Sequence, residues 1–163
     1  MIPVILFPIF KKYNEILALG AVVFRGILET VTYIGIAISW LLLLSLSQEY
    51  VTVGVAEGAN LESMGALLVN LGNWFGRITP IVFSIGALMI YSLFYLSKLI
   101  PKWLSIWGLI GAMLYLANPI LYMFSFDVGI LFIPLALQEM FMAIWLIVKG
   151  FNPSVLSSYS NSV

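Results

Sequence analysis

Three charged side chains fall inside stretches that otherwise suit hydrocarbon: Arg25 and Glu29 in one stretch, Glu139 in another. A charge at the centre of a bilayer costs about 2.5–3.5 kcal/mol on insertion scales, so each needs a partner or a wet cavity. Arg25 and Glu29 are four residues apart, on one helix face and within reach of each other. Glu139 precedes Lys149 by ten residues and Arg25 follows Glu15 by ten, each interval about 15 Å of helical rise. If both helices begin at one level, Arg25 meets Glu139 across a bundle, with Gln138 and Asn118 in the neighbouring layer. If residues 26–46 are instead the crossing segment, Arg25 snorkels at the membrane edge and Glu139 is the only deep charge. Three chemistries are open to this cluster: charge pairing that fixes helix assembly, binding of an ion or ligand, and proton movement through a neutral Glu139. Structural pairing is favoured. Asn73 and Arg77, also four apart, form a second set near the other surface. They could contact lipid headgroups, pair with Glu62 or Asp127, or form the mouth for an anionic ligand.

The elements that must position these residues follow from composition. Of 163 residues, 63% are apolar and 9% charged, with a mean hydropathy of +1.11. A soluble domain has roughly 25% charged residues, so a water-facing surface cannot be built here by ordinary means. Seven Lys+Arg balance seven Asp+Glu, which leaves no basic face for nucleic-acid phosphates. Roughly 20 residues of helix cross a hydrocarbon core of about 30 Å, and four stretches qualify: 16–46, 78–97, 103–124 and 128–148. None alternates in the period of a barrel strand, so helices are the spanning solution. The expected fold is therefore all-α, a polytopic transmembrane bundle of four helices in a single domain over residues 1–151. The apolar stretch Ile2–Phe10, with Pro3 and Pro8, is too short to cross and reads as an N-terminal stub.

Lys11, Lys12, Lys98, Lys102 and Lys149 all fall on one side of four such spans, and Glu49, Glu57, Glu62 and Asp127 on the other. The positive-inside rule makes the lysine side cytoplasmic, with both termini there, in the cell membrane. Residues 47–63 read as an external loop. Residues 64–77 read either as an interfacial helix or as an outward extension of the second span. The short link around Asp127 makes the last two spans antiparallel neighbours. Residues 152–163, rich in serine, have no apolar face and read as a disordered tail. Gly35 with Ser39, Gly72 with Gly76, and Gly108 with Ala112 have the spacing that lets helix backbones approach closely. Asn118-Pro119 and Pro134 can kink their helices.

Three stretches taken together carry a resemblance. They are Phe10-Lys11-Lys12-Tyr13-Asn14-Glu15 leading into Phe24-Arg25, then Ile100-Pro101-Lys102-Trp103-Leu104-Ser105-Ile106-Trp107-Gly108-Leu109-Ile110-Gly111, and Leu137-Gln138-Glu139-Met140 followed by Trp145-Leu146-Ile147-Val148-Lys149-Gly150-Phe151. The pattern resembles a prokaryotic family of multi-pass membrane proteins catalogued as a domain of unknown function. Members of that family are usually longer at the amino end by about two spans. The resemblance thus implies that Ile2–Phe10 is the stub of a helix that longer members complete. It implies a fold and no chemistry.

With no His and no Cys, the chain lacks imidazole acid–base chemistry, thiol catalysis and the usual zinc ligands. No serine–lysine pair, paired intramembrane aspartates or metal-ligand cluster is present. The expectation is an integral membrane protein that is not an enzyme and uses no cofactor or metal. Its Arg/Glu cluster fixes a structural or partner-binding bundle, or else serves a small-solute, ion or lipid-ligand binding or transport subunit. Membrane lipids, a second copy of the chain or another membrane protein are the expected partners, and nucleic acid is excluded.

Overall fold

The computed structural model describes residues 2–53 and 58–160. Helices make up 89% of it, with no strand among the described residues. In order, α1 is Ile2–Phe10, α2 Glu15–Val22, a π-helical segment Val23–Leu28, α3 Glu29–Val53, α4 Gly58–Ser97 and α5 Lys102–Met123. A 3₁₀ turn, Gly129–Phe132, leads into α6, Ile133–Val148, and α7 is Pro153–Ser160. Four stretches are long and apolar enough to cross a membrane: Glu15–Thr52, Gly58–Ser97, Lys102–Met123 and Gly129–Val148. Their outward positions carry large apolar side chains, with Ile16 84% and Ile147 83% exposed. Such faces suit lipid and not water.

The chain divides into two compact units, residues 1–28 with 80–163, and residues 29–79, where a single domain over 1–151 was expected. Both divisions fall at a backbone irregularity. The first follows the π-helical segment, and the second falls at Pro80, which has no N–H to give to the preceding turn. The helices concerned hold 38 and 40 residues, about twice what one crossing needs.

The smaller unit is an antiparallel hairpin. Gly35 lies against the Phe75 ring, the Gly72 position against Ser39, and that of Gly65 against Leu43 and Leu46. Tyr50 Oη donates to Glu62 Oε1 at 2.8 Å. These contacts alter the reading of residues 47–63 as an external loop, because α3 runs to Val53 and α4 begins at Gly58. The residues that look like a loop satisfy their hydroxyls on their own helices: Ser47 on the Leu44 carbonyl at 2.7 Å, Thr52 on Glu49 at 2.7 Å, Ser63 on Ala59 at 3.1 Å. Residues 64–77 are an uninterrupted part of α4. Glu57 lies outside the described residues.

The larger unit holds the main core. Phe10, Ala18, Ala21, Leu93, Phe94, Leu99, Leu104 and Leu135 are buried there together. The N-terminal segment α1 is a helix whose buried face is Pro3, Leu6 and Phe10, and Phe10 meets Phe94 edge-on with ring centres 5.3 Å apart. Asn14 caps α2 by accepting from Leu17 N at 2.9 Å. Helices α5 and α6 are antiparallel neighbours. The Gly111 position faces the Leu135 backbone at one level, and Trp103 meets Trp145 edge-on at 6.1 Å nearer the end. Pro134 stands in the first turn of α6, where its missing N–H is harmless, so it starts that helix and does not kink it. Where disorder was expected from residue 152, α7 forms as far as Ser160, with residues 161–163 outside the described ones. Asn152 starts it, taking Ser154 N at 3.2 Å and Ser154 Oγ at 2.9 Å while its own N–H reaches the Leu99 carbonyl at 3.0 Å.

A methyl group at Gly111 would sit 3.0 Å from Leu135 Cα, whereas one at Gly76 would meet nothing within 4 Å. Gly111→Ala should therefore destabilise the protein by about 1–3 kcal/mol, and Gly76→Ala should be neutral or slightly stabilising. Unfolding in detergent micelles, followed by circular dichroism, checks both.

Candidate functional site

Arg25 sits on the π-helical segment, a widened turn of the kind often found at functional sites. Its Nη2 donates to Glu139 Oε1 on α6 at 3.5 Å, and the two side chains are 23% and 36% exposed. The guanidinium also lies over the Phe83 ring, with Cζ 3.9 Å from the ring centre. A methyl group at Gly86 would fall 2.6 Å from Arg25 Cγ and 3.2 Å from its backbone nitrogen. Gly86 is thus the space into which the arginine stem fits. Three elements position one cation: the π segment carries it, α4 supplies a ring and a gap, and α6 supplies the counter-charge. Glu139 lies ten residues before Lys149, so the contact holds Arg25 about 15 Å from the lysine-bearing end of α6.

Gln138, fully buried, makes a different set of bonds. Its Oε1 accepts from Tyr91 Oη at 2.6 Å and its Nε2 donates to the Leu104 carbonyl at 3.1 Å, tying α4, α5 and α6 together. Asn118, also buried, donates from Nδ2 to the Val128 carbonyl at 3.0 Å and closes the turn between α5 and α6. Gln138 and Asn118 therefore make separate neutral bonds beside the ion pair. Glu29 opens α3, and its carbonyl accepts from Thr32 Oγ1 at 2.7 Å. It belongs to the smaller unit, whereas Arg25 and Glu139 belong to the larger. Asn73 and Arg77 lie exposed on α4 in the smaller unit, and Arg77 Cζ stands 5.2 Å over the Trp74 ring. No group of three or more acidic side chains that could hold a metal ion occurs among the described residues.

The description "Domain of unknown function (DUF4386)" belongs to a family whose pattern matches residues 1–150. The chain belongs to this family. No curated protein and no solved structure gives a match. A DUF4386 protein of this composition, with four helices of spanning length, is an integral membrane protein.

Sequence reasoning did not find Phe83, Gly86 or Tyr91. An aromatic residue and a glycine three apart give a signal only once a cation at the same level is suspected. The Tyr91 hydroxyl has no charge to set it apart from the seven other tyrosines.

In this DUF4386 chain, truncating Gln138 takes the acceptor from the buried Tyr91 hydroxyl and removes the bond to the Leu104 carbonyl. Gln138→Leu is expected to cost about 1–3 kcal/mol, and Tyr91→Phe less. In a double-mutant cycle the pair should cost less than the sum of the singles. Additive losses would show that the two side chains are not coupled.

Proposed function

We propose that this DUF4386 protein is a structural or partner-binding component of the cell membrane whose Arg25–Glu139 pair holds the π-helical segment, α4 and α6 in register. The observation that carries this reading is the 3.5 Å charge contact with the Phe83 ring beneath the guanidinium. Each charge is expensive in hydrocarbon alone, and the two are neutral together. A pair of this kind makes one helix arrangement much better than its competitors. No catalytic step is assigned, because the chain lacks the imidazole and thiol groups of His and Cys. The lysine-bearing side is assigned to the cytoplasm, and with it both termini. Arg77 over Trp74 supports an anchoring role at the opposite interface for the Asn73–Arg77 set.

The pair is tested by folded yield after membrane expression. Arg25→Gln and Glu139→Gln should each lower stability by about 2 kcal/mol, less than the loss of a fully buried partner because both side chains keep some exposure. The neutral double variant should recover most of the loss. Equal yields for all four proteins would remove the structural role.

Orientation has its own readout, since the chain contains no cysteine to interfere. In intact cells, an impermeant maleimide should label Glu62→Cys and spare Lys149→Cys. The reverse pattern would invert the assignment.

A further inference from the structure

The balanced total charge hides a local concentration of one sign. At the end of the larger unit, Lys98, Lys102 and Lys149 line one cavity of about 360 Å³, together with Trp145, Phe151 and Asn152. The cavity is built by the fold. Lys98 takes a left-handed backbone conformation (φ 56°) and Gly150 another (φ 69°), so both chain segments turn sharply there. Asn152 then joins them, its N–H bonding the Leu99 carbonyl at 3.0 Å and its Nδ2 the Lys98 carbonyl at 3.4 Å. Among the described residues no carboxylate pairs with any of the three lysines, and no acidic residue lines the cavity. The Lys102 ammonium stands 5.7 Å from the Tyr95 ring centre, and its flexible stem lets it reach the cavity its residue lines. Three like charges at one end of the fold repel one another, and an anion placed among them offsets that cost. Helix α5 also begins at Lys102 without a side-chain cap, which adds positive potential on the same side.

We infer that this cavity binds the phosphate group of an anionic phospholipid. The volume falls within the range of small-molecule pockets and accepts a phosphate with part of its glycerol. Lysine ammonium groups suit a tetrahedral phosphate as mobile point charges. The source is a lipid because the site lies at the ends of membrane-length helices, where a basic pocket meets headgroups, and because Trp145 and Phe151 give it an apolar wall on which an acyl chain can leave. The site is separate from the Arg25–Glu139 pair and stands whether or not that pair is structural.

The test uses the full chain, reconstituted in vesicles of phosphatidylcholine alone or with phosphatidylglycerol, extracted in mild detergent and examined by native mass spectrometry for retained lipid. Wild type should retain phosphatidylglycerol in preference to phosphatidylcholine. Lys98→Gln, Lys102→Gln and Lys149→Gln should each weaken retention about fivefold, and the triple variant about a hundredfold. Replacing the same three lysines by arginine should preserve retention in large part, which separates charge from folding. Lys11→Gln with Lys12→Gln, outside the cavity, should leave it unchanged. Should the triple variant fail to fold, Lys102→Gln alone decides the matter. Equal retention by wild type and the glutamine variants overturns the inference, as does an equal loss with Lys11→Gln and Lys12→Gln. Inorganic phosphate added to lipid-free protein distinguishes the two sources. If it raises thermal stability in a lysine-dependent way while no lipid is retained, the pocket chemistry stands and the lipid source is overturned.

Discussion

Hydrocarbon offers no hydrogen bonds, so a polar atom that the protein buries must find its partner inside the protein. The larger unit meets this demand by three means. Hydroxyls bond their own helix, as Ser84 does with the Pro80 carbonyl at 2.6 Å. Amides cross between helices, as Gln138 does from Tyr91 to Leu104. The charges of Arg25 and Glu139 pair directly. Among the described residues no buried side-chain nitrogen or oxygen lacks a partner. The inter-helix bonds then select one arrangement, because any slip along α6 would separate Gln138 from Tyr91 and Leu104, and Glu139 from Arg25.

Packing within each unit follows from the same solvent. Lipid tails are as apolar as leucine, so burying leucine gives helices little reason to associate, and close contact has to replace it. The structure repeatedly sets a large side chain against a glycine: Tyr91 on Gly108, Arg25 on Gly86 and Met89 on Gly20 in the larger unit, and Phe75 on Gly35 in the smaller. Each glycine is a socket for one particular knob. Ile85-Gly86-Ala87-Leu88-Met89 on α4 and Ile110-Gly111-Ala112-Met113-Leu114 on α5 are alike in sequence, and their glycines do similar work. Gly86 and Gly111 both leave room for a neighbouring segment, one receiving Arg25 and the other the Leu135 backbone.

Much of this could be read from hydropathy and counting. The four candidate spans stand out because their apolar runs are long, and two ten-residue intervals put Arg25 level with Glu139 only on the condition that both helices begin at one level. The helical character of residues 47–53 and 58–63 could not be read in the same way. There serine, threonine and glutamate look like a loop, yet their hydroxyls fold back on carbonyls three or four residues earlier and Tyr50 meets Glu62. The π-helical segment leaves no trace in hydropathy, since one extra residue in a turn changes geometry and not composition. The helix after Asn152 depends on the Leu99 carbonyl, more than fifty residues away, and no local pattern reports such a partner.

The division of labour between the two basic residue types follows from their physics. The five lysines, at positions 11, 12, 98, 102 and 149, lie beyond or at the ends of helices, and the two arginines, Arg25 and Arg77, lie within helical segments. Each arginine rests on an aromatic face, Phe83 at 3.9 Å and Trp74 at 5.2 Å. A guanidinium is flat, spreads its charge and is weakly hydrated, so it can leave water at lower cost and still offer an edge to a carboxylate while its face covers a ring. An ammonium is compact and strongly hydrated and loses its proton readily once buried, which suits it to the wet end of a helix. Lysine in place of Arg25 would keep the formal charge while giving up the stacking and the fixed geometry that hold Glu139. Arginine at the helix ends would sacrifice little. The asymmetry therefore matches the arginine at position 25 to a site that needs both a carboxylate edge and an aromatic face.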